Sequence, residues 1–153
     1  MRTPEREKKS ALTPSGSVPY DGSVTSACLS ETAKLFKALS DETRLRVLHV
    51  LIVAGMPVCV CEITDALELP QYQVSKALSH LKTAGFVEAT RKGTWVYHAI
   101  DTNAGVNRDV VKIIETRFAS DAECHDARRI RERLKLRQGD TCVVGFAERK
   151  TGS

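Results

Sequence analysis

The sequence predicts a mainly α chain with one β-hairpin, arranged as a winged helix-turn-helix that assembles as a homodimer. Three observations carry this. Two short segments with helical apolar spacing flank the break at Leu69-Pro70. A β-branched and aromatic pair of runs around a basic, Gly93-containing turn follows at once. A further apolar stripe after the hairpin then has no segment left to cover it. The order helix, turn, helix, hairpin is more specific than either half alone.

The elements can be justified in chain order. Residues 1–27 hold Pro4, Pro14 and Pro19 among many Ser, Thr and Gly, and read as a flexible arm that buries too little apolar surface to order itself. Leu29, Ala33 and Phe36 recur at helical spacing and predict a first helix over residues 30–39. Ser40-Asp41 supplies capping oxygens for a second helix, residues 42–54. Leu45, Leu48 and Ile52 form one stripe of it, and Val47, Val50, Leu51 and Val53 surround the rest, so this helix should be central. Gly55 and Pro57 stop it.

Residues 57–60 read as a short strand and residues 62–67 as a third helix with Ile63, Ala66 and Leu67 inward. A fourth helix over residues 71–84 buries Val74, Leu78 and Leu81, and Gly85 closes it. Residues 86–90 and 94–100 form the hairpin around Arg91-Lys92-Gly93. Val106, Val110, Ile113, Ile114 and Phe118 mark a last apolar helix, which with the first predicts the dimer seam. The domain is therefore expected over residues 28–120. Residues 121–153 read as a charged extension, an exposed helix followed by a loose tail.

A chain of 153 residues suits one domain, and with aromatics at 5% its core must be aliphatic. The longest apolar run, residues 47–53, is too short to span a bilayer, and no apolar signal core follows the N-terminus. A cytoplasmic location without a membrane partner is expected. Five cysteines at irregular spacing then point to metal or redox chemistry rather than a disulfide framework. No glycine-rich phosphate loop, nucleophile elbow or catalytic carboxylate pair appears, so an enzyme is not expected. Between residues 70 and 98, Lys76, Lys82, Arg91 and Lys92 face Glu88 as the sole acid. Such an excess suits a phosphate surface.

With Val74, Leu78 and Leu81 inside, the fourth helix offers Gln71, Tyr72, Gln73, Ser75, Lys76, Ser79 and His80 outward. Gln can pair with adenine, Lys can donate to guanine, and Ser and the helix N-terminus can hold phosphates. Arg91 and Lys92 at the hairpin tip would reach the backbone or a minor groove, making operator DNA the expected partner. Cys59 and Cys61 carry the second chemistry. Two residues apart on an extended segment they share a face, and the helix N-terminus after Cys61 favours the thiolate that a soft ion requires. The competing reading of the same pair is two small core residues.

Three ordered motifs resemble the ArsR/SmtB repressor family. The run from Phe36 through Ser40-Asp41-Glu42-Thr43-Arg44 to Arg46 is similar to its entry signature. Val58-Cys59-Val60-Cys61-Glu62-Ile63 is similar to its Cys-Val-Cys metal box, and residues 73–87 to its recognition helix. The resemblance implies a homodimeric repressor on a palindromic operator, released by an inducer. Some members carry a third Cys three residues after the second, and here Thr64 stands in that place. Cys28, at the root of the arm, is the expected third ligand, with Cys124 and Cys142 as alternatives. Three thiolates suit arsenite or antimonite. A cadmium, lead or zinc site, or a thiol redox switch, is the alternative on the same fold. The family's other site, Asp and His on the last dimer helix, is not expected, because that helix lacks His.

Overall fold

A computed structural model describes residues 25–103, 105–119 and 124–145. Most of the expected arm, and the end of the expected tail, lie outside the described residues. The elements run α1 (Ser26–Leu39), α2 (Glu42–Ala54), β1 (Val58–Cys59), α3 (Val60–Leu67), α4 (Gln71–Thr83), β2 (Val87–Lys92), β3 (Trp95–Ile100), α5 (Gly105–Phe118) and α6 (His125–Leu134).

The second helix is central, as its all-round apolar character requires. Val47, Leu48, Val50 and Leu51 are fully buried, and α2 touches every other helix as well as β3. The Asp41 carboxylate accepts the Arg44 amide at 2.9 Å to cap it, and Gly55 ends it at φ +61°. His49 is buried in this helix with its ring 4.9 Å from that of Phe118, a core packing role.

The hairpin pairs Val87 with Ile100 through Lys92 with Trp95, leaving Gly93-Thr94 as a two-residue turn, with Gly93 at φ +62°. Arg91 and Lys92 therefore end β2 rather than forming the turn. The short strand β1 adds to the other side of β3, giving the order β1-β3-β2. Gly85 stands at φ +79°, and a Cβ there would lie 2.8 Å from the Asn107 amide, which itself donates to the Ala84 carbonyl at 3.0 Å. That glycine both turns the chain and lets α5 close on the end of α4.

Three expectations are corrected. The first helix starts four residues earlier than its apolar spacing suggests, because the Thr25 hydroxyl accepts the Cys28 amide at 3.2 Å and caps it. Cys28 thus sits exposed in a capped first turn, not on an arm. The extended segment stops at Cys59, and Val60 already begins α3. Residues 124–145 do not form an exposed helix with a loose segment after it. Ala127 and Ile130 on α6 are fully buried against α2 and α3, and Cys142 is 1% exposed.

Large apolar residues stay exposed on α1 and α5. Leu29 and Phe36 on α1, and Val106 and Ile113 on α5, are each about 60–67% exposed, while Val111 and Ile114 face the core. The stripe expected on the last helix is thus divided between inward and outward positions.

Candidate thiol centre and nucleic-acid interface

Helix α4 buries Val74, Ala77, Leu78 and Leu81. Its other face exposes Gln71, Tyr72, Ser75, Lys76, Ser79 and His80, with Gln73 half-buried. Gln73 donates to the Tyr72 hydroxyl at 3.1 Å, and the His80 Nδ1 lies 2.7 Å from the Lys76 carbonyl. Arg91 and Lys92 are exposed at the hairpin tip. Arg91 donates to the Gly93 carbonyl at 3.1 Å, which stiffens the turn.

The thiol cluster sits at the junction of β1 and α3. Cys59 is the last strand residue and the N-cap of α3, and Cys61 lies in the first turn. Their sulfurs meet because the chain turns from strand to helix between them, not because they share a strand face. The Cys59 and Cys61 Sγ atoms are 2.8 Å apart, and Cys142 Sγ lies 3.5 Å from that of Cys61. All three are buried, and their sulfurs lie within 4.8 Å of one another. With sulfur-to-metal bonds of about 2.3 Å, three thiolates about one ion stand roughly 4 Å apart, so this donor set fits a soft ion. Among the described residues no other group of three ligands converges in this way. Cys28 is exposed on α1 and outside the cluster, and Cys124 instead lies 3.9 Å from the His49 ring.

Two guanidinium groups hold Cys142 in place. Arg137 grips both oxygens of the fully buried Glu62, at 2.7 and 2.6 Å, and donates to the Pro57 carbonyl at 2.8 Å. Glu62 in turn accepts the Cys59 amide at 2.9 Å, satisfying a helix N-terminal donor. Arg133 donates to Asp65 at 2.7 Å and to the carbonyls of Val144 and Gly145 at 2.6 and 2.8 Å. The Cys142 amide donates to the Tyr97 hydroxyl at 3.0 Å, and the Tyr97 ring lies under both Arg137 and the wing residue Lys92.

Burial and hydrogen bonding raise two of the three thiols. The shared hydrogen bond with Cys61 and burial both push the Cys59 thiol well above its ordinary range. Burial, then the hydrogen bond with Cys59, raises Cys142 likewise. For Glu62, burial alone would raise the carboxyl, but the bonds from Arg137 and the Cys59 amide outweigh it and hold it below the usual range.

Sequence reasoning missed Glu62, Asp65, Tyr97, Arg133 and Arg137. A signal for four of them was present. Glu62, Asp65 and Glu68 recur every three residues along and just beyond α3, and Arg129, Arg133 and Arg137 every four along and just beyond α6. The two series pair in antiparallel order, Arg137 with Glu62, Arg133 with Asp65 and Arg129 with Glu68.

Comparison with known proteins fits this arrangement. The family described as "Bacterial regulatory protein, arsR family" matches residues 41–89. An uncharacterized HTH-type transcriptional regulator of Methanocaldococcus jannaschii is 38% identical over 86 residues, covering 56% of this chain and 92% of that protein. The chain belongs to the ArsR family. An ArsR relative from Pseudomonas putida, an arsenic resistance transcriptional regulator, is 46% identical over 66 residues, covering 43% of this chain and 51% of that protein. Among solved ArsR-like folds, the AntR antimony-specific transcriptional repressor superposes with a TM-score of 0.55 at 29% identity, covering 74% of this chain and 96% of that one. A homodimeric winged helix-turn-helix DNA-binding domain from Mycobacterium bovis gives 0.51 at 28% identity, covering 64% and 85%. ArsR proteins are DNA-binding transcriptional regulators and not enzymes. Among the described residues no helix is long and apolar enough to cross a membrane.

Proposed function

We propose that this ArsR-family chain is a homodimeric repressor that leaves its operator when a trivalent metalloid, arsenite or antimonite, binds the thiols of Cys59, Cys61 and Cys142. The observation that carries the reading is the convergence of three buried sulfurs at the N-terminus of α3, the helix packed behind the recognition helix α4. The arsenic and antimony regulators among its relatives support it. Cys142 takes the place first given to Cys28.

The chain's own residues give a route from site to DNA. Drawing three sulfurs around one atom must widen the 2.8 Å separation of Cys59 and Cys61, and so turn the first turn of α3. Tyr97, bonded to the Cys142 amide, joins the same movement to the wing strand. To reverse occupancy of the operator from nearly full to nearly empty, the inducer must favour the released state by about 5.5 kcal/mol. The test is titration of the protein–operator complex with arsenite, antimonite, cadmium, zinc and a peroxide. Release by the first two at the lowest concentrations supports the reading, and release by peroxide alone refutes it.

The DNA face is assigned to Gln71, Tyr72, Gln73, Ser75, Lys76, Ser79 and His80 on α4, with Arg91 and Lys92 on the wing. Lys76→Ala and Gln73→Ala should each cost about 1–3 kcal/mol on the operator and relax base choice. Arg91→Ala should weaken binding evenly across sequences, since phosphate contacts set affinity and base contacts set choice. Binding assays on matched and scrambled operators distinguish the two patterns.

The exposed apolar residues of α1 and α5 form the dimer seam, which the homodimeric relative supports. Ile113→Glu puts a charge in that seam and should yield monomers that bind DNA poorly. Light scattering and operator titration check this, and a dimeric variant would remove Ile113 from the interface.

A further inference from the structure

The thiol site lies between two ion pairs that are already internally balanced. The Arg133 guanidinium comes within 4.0 Å of Cys61 Sγ, close enough to serve as a counter-ion, but Asp65 holds the same guanidinium at 2.7 Å. Arg137 is matched in the same way by Glu62 at 2.6 Å. The two pairs thus leave no net charge beside the sulfurs to offset one on a bound ion.

Ligand chemistries fare differently in such a site. A trihydroxide of a trivalent metalloid is neutral and exchanges with three thiols as M(OH)3 + 3 R–SH → M(SR)3 + 3 H2O. Three S–H and three M–O bonds break, three M–S and three O–H bonds form, no oxidation state changes, and the product is neutral. A divalent ion held by the same three sulfurs expels three protons and leaves a charge of minus one. A buried charge without a counter-ion is strongly disfavoured.

Resting on the reading above, we infer that Asp65 is the specificity-determining residue of this site: by cancelling Arg133 it admits neutral trivalent metalloid complexes and disfavours anionic divalent ones. Asp65 sits on α3, one helical turn beyond Cys61, and is no ligand itself. Its role is to neutralise the guanidinium nearest Cys61 that an anionic complex would need.

The test compares cadmium and arsenite affinities of the full-length protein free of DNA, read from thiolate–metal absorption. Asp65→Asn keeps an acceptor for Arg133 and removes the negative charge. It should raise the cadmium-to-arsenite affinity ratio roughly ten- to a hundredfold, the scale on which one adjacent buried charge moves an ionisation equilibrium. Arg133→Gln removes the positive charge, keeps the negative charge of Asp65, and should move the ratio the other way. Damage to the fold would weaken both ligands together and leave the ratio where it was, so the ratio reports charge. A ratio within about twofold of wild type in whichever variants fold would overturn the inference while leaving the repressor reading intact. Failure of the wild-type protein to bind arsenite through three thiolates would overturn both.

Discussion

Cys59→Ser and Cys61→Ser repressors are expected to hold their operator at arsenite concentrations that strip the wild-type protein from it completely. Neither side chain lies on the α4 face or the wing, so DNA affinity without inducer should stay within a few-fold of wild type. Cys142→Ser should leave two sulfurs and a weakened response, whereas Cys28→Ser and Cys124→Ser should behave as wild type, because both stand outside the cluster. Gel-shift titration with arsenite across the five variants reads this directly. A normal response from Cys142→Ser together with a lost response from Cys28→Ser would transfer the third ligand to α1, supplied across the dimer.

The second large effect concerns the buried pair of Glu62 and Arg137. Their side chains are 0% and 4% exposed, so Arg137→Met strands a carboxylate in the core. Breaking one partner of such a pair costs about 3–5 kcal/mol, which for a domain of this size lowers the melting temperature by roughly 10–20 °C. The pair also sets an acid limit. Because Glu62 titrates below its ordinary range in the folded chain, its contribution is complete above about pH 4.3, the usual carboxylate value. It is lost as pH falls through the lower folded value. Glu62→Gln should remove that part of the acid slope, as thermal melts at several pH values would reveal. An unchanged melting temperature in Arg137→Met would mean that the C-terminal segment contributes little to holding α3.

The central helices and the hairpin were legible in the sequence because local signals agreed there. Apolar spacing, the Asp41 cap and the stops at Gly55 and Gly85 all pointed one way, and α2 and α4 occupy nearly the expected residues. Where reading failed, a local signal gave way to a long-range contact. The composition of residues 121–145 is strongly charged, which taken locally means a solvated helix. Yet Arg133 and Arg137 bury themselves because Asp65 and Glu62 wait on α3, 68 and 75 residues earlier in the chain. The same contact carries Cys142 to the thiol pair. Cys28 drew attention because it stood next to a proline-rich stretch, but Thr25 caps the helix that contains it.

The distance along the chain between the thiols has a thermodynamic consequence. Cys61 and Cys142 are 81 residues apart, and an atom bonded to both is a cross-link around most of the domain. A covalent bridge closing a loop of that size removes conformational freedom from the unfolded chain worth about 4–5 kcal/mol. A metalloid bound as proposed would therefore act in opposite senses on two equilibria, loosening the grip on DNA while tightening the fold. Melted without DNA, the protein loaded with a metalloid through Cys61 and Cys142 is therefore expected to outlast the protein without it.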